Sequence, residues 1–141
     1  PEGGQGRGLN GKMAELVAAV GLAARARLPV RLAERQSAAQ RYAMLADRTG
    51  LEHFLHDAQA SPWQCFAVKL PTGIPPGRVV EAALQESLQL RQYYAPLIGL
   101  PGASGASALS ARTVCLPVYD GEDSSYTEDM WEIFERIVKA G

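Results

Sequence analysis

The chain has 141 residues, of which 47% are hydrophobic and 21% charged, a balance typical of one globular domain. Fourteen Lys and Arg residues against fifteen Asp and Glu residues leave no positive excess for a nucleic-acid backbone. The longest apolar stretch, residues 16–24, is too short to span a bilayer. We therefore expect neither nucleic-acid nor membrane partners. Cys65 and Cys115 each lie in a strand-like apolar run, which predicts reduced core residues in a cytoplasmic protein.

The first third of the chain is predicted to be helical. After a glycine-rich start, apolar residues recur at helical spacing from Met13 to Ala24, and Asn10 stands where an N-cap would. A second helical run covers residues 30–47 beyond Pro29, which lacks a backbone N–H. The pattern predicts either two helices or one long helix kinked at this proline.

The remainder of the chain alternates between predicted strands and helices. Apolar alternation predicts strands at three places: Cys65–Leu70, Leu88–Tyr94 and Thr113–Tyr119. Helices are predicted around residues 79–84 and from residue 128 onwards, the second capped by Thr127. Residues 95–112 are rich in Gly, Ala, Ser and Pro, which predicts a mobile loop.

These elements predict an α/β (α+β) fold, a small two-layer sandwich of about three strands with helices, entered through the N-terminal helix pair. We divide the chain into residues 1–48, a glycine-rich lead-in with connecting helices, and residues 49–141, a small C-terminal α/β domain.

Motifs that could carry chemistry are weak when the residues are considered alone. Residues 6–11 fit G-x-G-x-x-G, but a dinucleotide site needs a strand directly before the glycines, and the chain starts only five residues earlier. This segment is either a phosphate-holding helix start or a flexible segment with a helix cap. His53 and His56 lack a third metal ligand and are predicted to lie at the surface. The acidic residues after the third strand, beginning at Asp120, are interpreted as a solvated turn.

Four segments in sequence order resemble one enzyme family. They are GLNGKMAELVAAVGLAA (8–24), WQCFAVKLP (63–71), RQYYAPL (91–97) and CLPVYDG (115–121). Together they are similar to the DegT/DnrJ/StrS family of pyridoxal-phosphate-dependent nucleotide-sugar aminotransferases. The resemblance implies the small domain of a fold-type I aminotransferase, preceded by a long helix.

The resemblance also implies roles for particular residues. Asn10 matches an asparagine that reaches the cofactor phosphate of the neighbouring subunit, and Lys12 matches a basic position facing a phosphate or the substrate's diphosphate. Arg91, Tyr93 and Tyr94 match positions that border the sugar-nucleotide pocket, although tyrosines at a strand end also commonly close the edge of a core. The family's cofactor-binding domain and Schiff-base lysine precede the first segment, so no catalytic residue is expected in this chain.

The resemblance therefore predicts a chain that is inactive alone. The complete enzyme would use pyridoxal phosphate and a nucleotide-sugar substrate, whereas no cofactor is expected on this chain by itself. Expected partners are a second copy, in a homodimer or larger assembly, and the missing large domain or a companion polypeptide. Two alternatives stay open: a stand-alone dimerisation or interaction module derived from such an enzyme, and part of a pyridoxal-phosphate-dependent sugar dehydratase.

Overall fold

A computed structural model describes residues 14–54, 61–93, 104–121 and 124–141, and the chain divides into two compact units, Pro1–Val30 and Arg31–Gly141. The elements in chain order are α1 (Glu15–Thr49), β1 (Glu52–His53), β2 (Cys65–Lys69), α2 (Pro76–Gln85), α3 (Ser104–Ser110), β3 (Thr113–Pro117) and α4 (Ser124–Ala140). None of the helices within the described ranges has the length and apolar character needed to cross a membrane.

Helix α1 is one uninterrupted helix, so the alternative of two separate helices is wrong. Pro29 lies inside it. A proline costs an internal helix one hydrogen bond, but the turns on both sides are rich in alanine and arginine, which favour the helix. The predicted cap Asn10 lies outside the described residues. In the first unit, α1 exposes the large apolar side chains of its described part: Leu16, Val17, Val20, Leu22, Leu28 and Val30.

In the second unit, three antiparallel strands form a sheet of order β1-β2-β3. In the β2–β3 register, Phe66 lies opposite Leu116 and Val68 opposite Val114. Because side chains alternate between the faces of a strand, these four share one face, and all are at most 1% exposed. The predicted mixed fold with a small sheet is confirmed.

The buried sheet face is part of one core to which three helices contribute. The buried side chains from α1 include Ala39, Tyr42 and Ala46; those from α4 include Trp131 and Phe134; those from α2 are Pro76, Val79 and Ala83. The Tyr42 ring lies 5.4 Å from Phe66 and 6.1 Å from Trp131, measured between ring centroids. The phenol also donates a hydrogen bond of 3.2 Å to the carbonyl of Pro117. Tyr42 therefore joins α1, the sheet and α4.

Two predicted elements differ from the structure. The strand predicted at Leu88–Tyr94 is reduced to one β-bridge, between Arg91 and Cys115, and residue 94 lies outside the described part. Leu88 and Leu90 are both buried, which explains the strand-like alternation without an extended ladder. The third strand of the sheet is instead β1, whose two residues are too few to give a pattern.

The predicted loop at 95–112 is wrong over Ser104–Ser110, which forms α3, whereas residues 95–103 lie outside the described part. Carbonyls at the end of a helix lack intrahelical donors. Two carbonyls at the end of α3 accept hydrogen bonds from side chains. The Gln92 amide donates to the carbonyl of Ser110, and the Thr113 hydroxyl donates to the carbonyl of Leu109. One local and one tertiary hydrogen bond therefore stabilise a helix that the composition does not predict.

The last helix begins earlier than predicted. It starts at Ser124, so Thr127 lies within the first turn rather than at the cap, and its side chain is only 4% exposed. The apolar face predicted from Met130 to Val138 is confirmed, because Met130, Trp131, Phe134 and Val138 are all buried.

Replacing Leu116 by alanine tests the core. Leu116 is fully buried, so Leu116→Ala should lower the free energy of unfolding by about 2–5 kcal/mol, through lost apolar burial and the cavity left behind. The matched control is Leu84→Ala on α2, because Leu84 is 61% exposed and its loss should change stability by less than about 0.5 kcal/mol. Urea denaturation followed by circular dichroism measures both variants. Equal losses would contradict the assigned core.

Candidate functional site

A cleft lies on the sheet where Arg91 joins β3. Its volume is about 160 Å³, and its lining residues are Gln64, Cys65, Gln89, Arg91, Tyr93, Cys115, Leu116, Pro117 and Tyr119. Cys65 and Cys115 are at odd positions of β2 and β3, whereas the buried core residues of both strands are at even positions. Strand alternation therefore directs the two cysteines away from the helices and into this cleft.

The structure brings together two of the predicted substrate residues. The Arg91 backbone exchanges two hydrogen bonds with Cys115, with N–O distances of 3.0 and 2.7 Å. This bridge fixes Arg91 beside the exposed edge of β3, and Tyr93 follows two residues later on the same side. Both side chains are exposed at the cleft. Asn10, Lys12 and Tyr94, the other predicted site residues, lie outside the described residues.

The chemical character of the cleft comes from one cation, two phenols and two thiols. The guanidinium of Arg91 can form bidentate hydrogen bonds with phosphate or carboxylate oxygens. Tyr93 and Tyr119 are 45% and 42% exposed, so each offers a ring face and a hydroxyl to a bound molecule. This arrangement suits an anionic ligand that also carries a ring.

The two thiols are free, and each shifts the pKa of the other. A hydrogen bond from the Cys115 thiol lowers the pKa of Cys65 to about 7, although partial burial opposes this shift. The same hydrogen bond, together with burial, raises the pKa of Cys115. This direction follows from exposure, because Cys65 is partly exposed and Cys115 is only 7% exposed. A negative charge is therefore more stable on Cys65.

Two arginines of α1 hold the segment that follows β3. The Arg35 guanidinium donates to Oδ1 of Asp120 at 3.0 and 3.2 Å, and Arg31 Nε lies 2.8 Å from Oδ2. The side chain of Asp120 is 19% exposed. The interpretation of this residue as part of a solvated acidic turn is therefore wrong. The hydrogen bonds from Arg35, with the charge of Arg31, hold the pKa of Asp120 below its usual range.

This arginine clamp, formed by Arg31, Arg35 and Asp120, positions the cleft indirectly. Tyr119 precedes Asp120 and lines the cleft, so fixing the carboxylate also fixes the backbone that carries this tyrosine. The sequence contained one signal for the clamp: Arg31 and Arg35 are four residues apart and so share one face of a helix. The carboxylate that they bind, Asp120, lies 85 residues after Arg35 in the chain. Helical periodicity predicts contacts within one helix and therefore could not identify this pair.

The predicted surface position of His53 also needs correction. His53 belongs to β1, its side chain is 15% exposed, and Nε2 lies 3.1 Å from Oδ1 of Asp47. Its ring also lies 5.5 Å from that of Phe66, between centroids. His56 lies outside the described residues. Within the described ranges, no group of three or more His, Cys, Asp or Glu residues is arranged to hold a metal ion.

Comparison with known proteins identifies the family. A profile of the DegT/DnrJ/EryC1/StrS aminotransferase family matches residues 2–135. The chain therefore belongs to this family. No curated protein sequence gives a significant match to it.

Three solved structures illustrate how much of such a protein the chain covers. A Bacillus cereus protein assigned as a PLP-dependent aminotransferase has a TM-score of 0.76 at 22% identity, with 93% of this chain matching 39% of that one. The aminotransferase TlmJ from Streptoalloteichus hindustanus has a TM-score of 0.74 at 21% identity, with 89% of this chain matching 36% of that one. The Escherichia coli GDP-4-keto-6-deoxy-D-mannose-3-dehydratase has a TM-score of 0.75 at 15% identity, with 91% of this chain matching 37% of that one.

These identities establish a shared fold and no more. In each case the chain spans less than two-fifths of the neighbour's length, from 36% to 39%.

Substituting Asp120 by asparagine tests the arginine clamp. The pKa of Asp120 is lower in the folded chain than in the unfolded one, so its stabilising effect is complete above the unfolded pKa, about 3.9, and is lost as the pH falls towards the folded pKa. We expect Asp120→Asn to unfold at a lower urea concentration than the unsubstituted chain at pH 7. The difference should be constant down to about pH 5 and should shrink below about pH 4.

The matched control for this experiment is Glu128→Gln, a neutralisation of an exposed carboxylate on α4. Urea denaturation at each pH measures all three chains. A pH-independent difference for Asp120→Asn, or an identical profile for Glu128→Gln, would show that the clamp does not contribute in this way.

Proposed function

We propose that this chain is the C-terminal small domain of a pyridoxal-phosphate-dependent aminotransferase that acts on a nucleotide-linked keto-sugar. The observation that carries the proposal is the family match over residues 2–135, in a chain that covers only 36–39% of the neighbouring structures. On this proposal, residues 49–141 are the small domain, and residues 1–48 are the lead-in and helix that connect it to the cofactor-binding domain.

The cofactor belongs to the complete enzyme, where pyridoxal phosphate would supply the electron sink and carry the amino group. A covalently bound cofactor needs a lysine with a lowered pKa in a desolvated pocket. Lys69 donates a hydrogen bond of 2.6 Å to Glu52, and Lys139 is paired with Glu135 on the exposed face of α4. Carboxylates thus engage both of these lysines, and Lys12 lies outside the described residues. On this proposal the chain is inactive alone and holds no cofactor by itself, and the cofactor domain supplies the catalytic lysine.

The contribution of this chain would be to the substrate pocket. Arg91 would pair with the diphosphate of the nucleotide, and the ring of Tyr93 would border the sugar or base, as their shared cleft allows. Tyr94 would extend the same wall. Lys12 would face a phosphate, and the side-chain amide of Asn10 would donate to the cofactor phosphate of the neighbouring subunit.

Two alternatives share parts of this support. A sugar dehydratase that uses the same cofactor is favoured by the E. coli GDP-keto-sugar dehydratase, whose TM-score of 0.75 is close to those of the aminotransferases. A stand-alone dimerisation or interaction module is favoured by the exposed apolar side chains of α1 in the first unit, among them Leu16 and Val20. The aminotransferase and the dehydratase would both use the pocket residues named above, and the module would not.

The exposed apolar side chains of α1 in the first unit also support a proposal about binding partners. Val17 and Val20 are 56% and 62% exposed, and apolar groups of this size are favoured inside an interface. We propose that a second copy, in a homodimer or larger assembly, and the large domain or a companion polypeptide cover this part of α1. We also propose a cytoplasmic location, in which thiols such as Cys65 and Cys115 stay reduced.

Titration with a nucleotide-linked sugar tests the substrate pocket. UDP-glucose added to the 141-residue chain should shift the NMR signals of residues that line the cleft. Arg91→Ala should raise the dissociation constant at least about tenfold, because a hydrogen bond to a charged group contributes about 1.5–3 kcal/mol. The matched control is Arg78→Ala, which removes an exposed arginine of α2 that lines a different cavity. Equal loss of affinity in the two variants, or shifts confined to other surfaces, would contradict the proposed pocket and favour the interaction module.

Light scattering over a concentration series tests the proposed assembly. We expect a mass of at least a dimer, and the double substitution Val17→Lys and Val20→Lys should shift the chain towards the monomer by placing two charges in an apolar interface. Leu84→Lys is the control, because Leu84 is 61% exposed on α2 in the second unit. A chain that stays monomeric at high concentration would argue against this use of α1.

A further inference from the structure

The cleft contains a pair of thiols that the proposed substrate pocket does not use. In the β2–β3 register, Cys65 lies opposite Pro117 and Cys115 lies opposite Ala67. The two cysteines are therefore diagonal neighbours on one sheet face, two positions apart across the strand pair. They are the only cysteines in the sequence, so any thiol chemistry of this chain belongs to them.

The two sulfur atoms have different surroundings. Cys115 is 7% exposed, because its backbone is paired with Arg91 on one side and its strand with β2 on the other. Cys65 is partly exposed and opens to the cleft. A thiol donor held beside a more exposed sulfur stabilises the thiolate on that second sulfur, and the thiolate is the nucleophilic form of cysteine.

The diagonal placement also bears on the product of oxidation. Residues at this diagonal have Cα atoms about 7–8 Å apart, whereas disulfides usually need about 4.4–6.8 Å. Side chains can therefore meet across this diagonal, but an S–S bond requires the strands to shift. The pair is arranged for activation of one thiol by the other rather than for a disulfide.

We propose that Cys65, activated by Cys115 across the β2–β3 pair, is a modification site for hydroperoxides, and that its oxidation gives a sulfenic acid rather than a disulfide with Cys115. The Cys65 thiolate attacks one peroxide oxygen, so an S–O bond forms and the O–O bond breaks. The other oxygen leaves as hydroxide or alkoxide and takes a proton from water. Sulfur loses two electrons to the peroxide, and Cys115 keeps its proton.

The charged and titratable groups lining the cleft are few. Among the described residues, apart from the thiols, they are Arg91, Tyr93 and Tyr119, which come from the bridge segment and from the segment after β3. Alkylation that peptide mass assigns to Cys65 reports the ionisation of this thiol and not of those three groups. The inference needs only this sheet face and holds whether or not the cleft binds a nucleotide-sugar.

Iodoacetamide alkylation of the 141-residue chain, with the modified residue assigned by peptide mass, tests the activation. The rate at Cys65 should rise with a midpoint near pH 7, below the ordinary cysteine value of about 8.5. Cys115→Ala should move the midpoint towards about 8.5. At pH 6 it should slow alkylation about sixfold, since the roughly thirtyfold loss of thiolate is partly offset by the greater nucleophilicity of the more basic thiolate.

The conservative variant Cys115→Ser keeps a hydroxyl donor and should leave the midpoint close to that of the unsubstituted chain, which a merely structural role of Cys115 does not predict. Circular dichroism checks that each variant is folded. If Cys115→Ala does not fold, the test uses the pH midpoint of Cys65 alkylation in the unsubstituted chain. A value near 7 supports activation, and a value near 8.5 overturns it.

Treatment with hydrogen peroxide tests the product. Trapping with dimedone should label Cys65 and leave Cys115 unlabelled, and the intact mass should rise by one oxygen before trapping. Loss of two hydrogens, the signature of an intramolecular disulfide, would overturn the inference that the diagonal spacing disfavours a bond between the two cysteines. Preferential labelling of Cys115 would overturn the assignment of the reactive thiol.

Discussion

The register between β2 and β3 is the constraint on which the second unit depends. It pairs Phe66 with Leu116 and Val68 with Val114, so that the even positions of both strands face the helices. The same register sends Cys65 and Cys115 to the opposite face, where they meet the segment of Arg91. A slip of one residue in either strand would exchange the faces, burying polar groups and exposing the core. The core and the cleft are therefore fixed together.

Tyr42 connects this register to the helices. Its ring contacts Phe66 on the sheet and Trp131 on α4, and its hydroxyl donates to the last residue of β3, Pro117. Burial, reinforced by the nearby Tyr119 and Tyr126, raises the pKa of this phenol, so it remains a neutral donor. The arginine clamp then holds the chain three residues beyond Pro117. Two polar attachments to α1 thus stabilise the segment that carries Tyr119 into the cleft.

Sequence reasoning succeeded where a pattern was long and local. The alternation in β2 and β3 and the apolar face of α4 each follow from side chains that all meet one core. Sequence reasoning failed where the structure of a segment depends on contacts with residues far away in the chain. Ser104–Ser110 has a loop-like composition, and the last carbonyl of its helix accepts a hydrogen bond from Gln92, 18 residues earlier in the chain. The bridge at Arg91 and the clamp at Asp120 likewise join segments far apart in the chain. The roles of Asn10, Lys12 and Tyr94 stay predictions.

Pro29 has a local consequence for α1. Without an amide hydrogen at this position, the carbonyl oxygen of Arg25, four residues earlier, has no intrahelical donor. The side chains of residues 21–30 are all exposed, so solvent reaches this turn. Water can therefore take the position of the missing donor. The turn is held by one backbone hydrogen bond fewer and by no buried side chain, so it should open more readily than the alanine-lined turns around Tyr42.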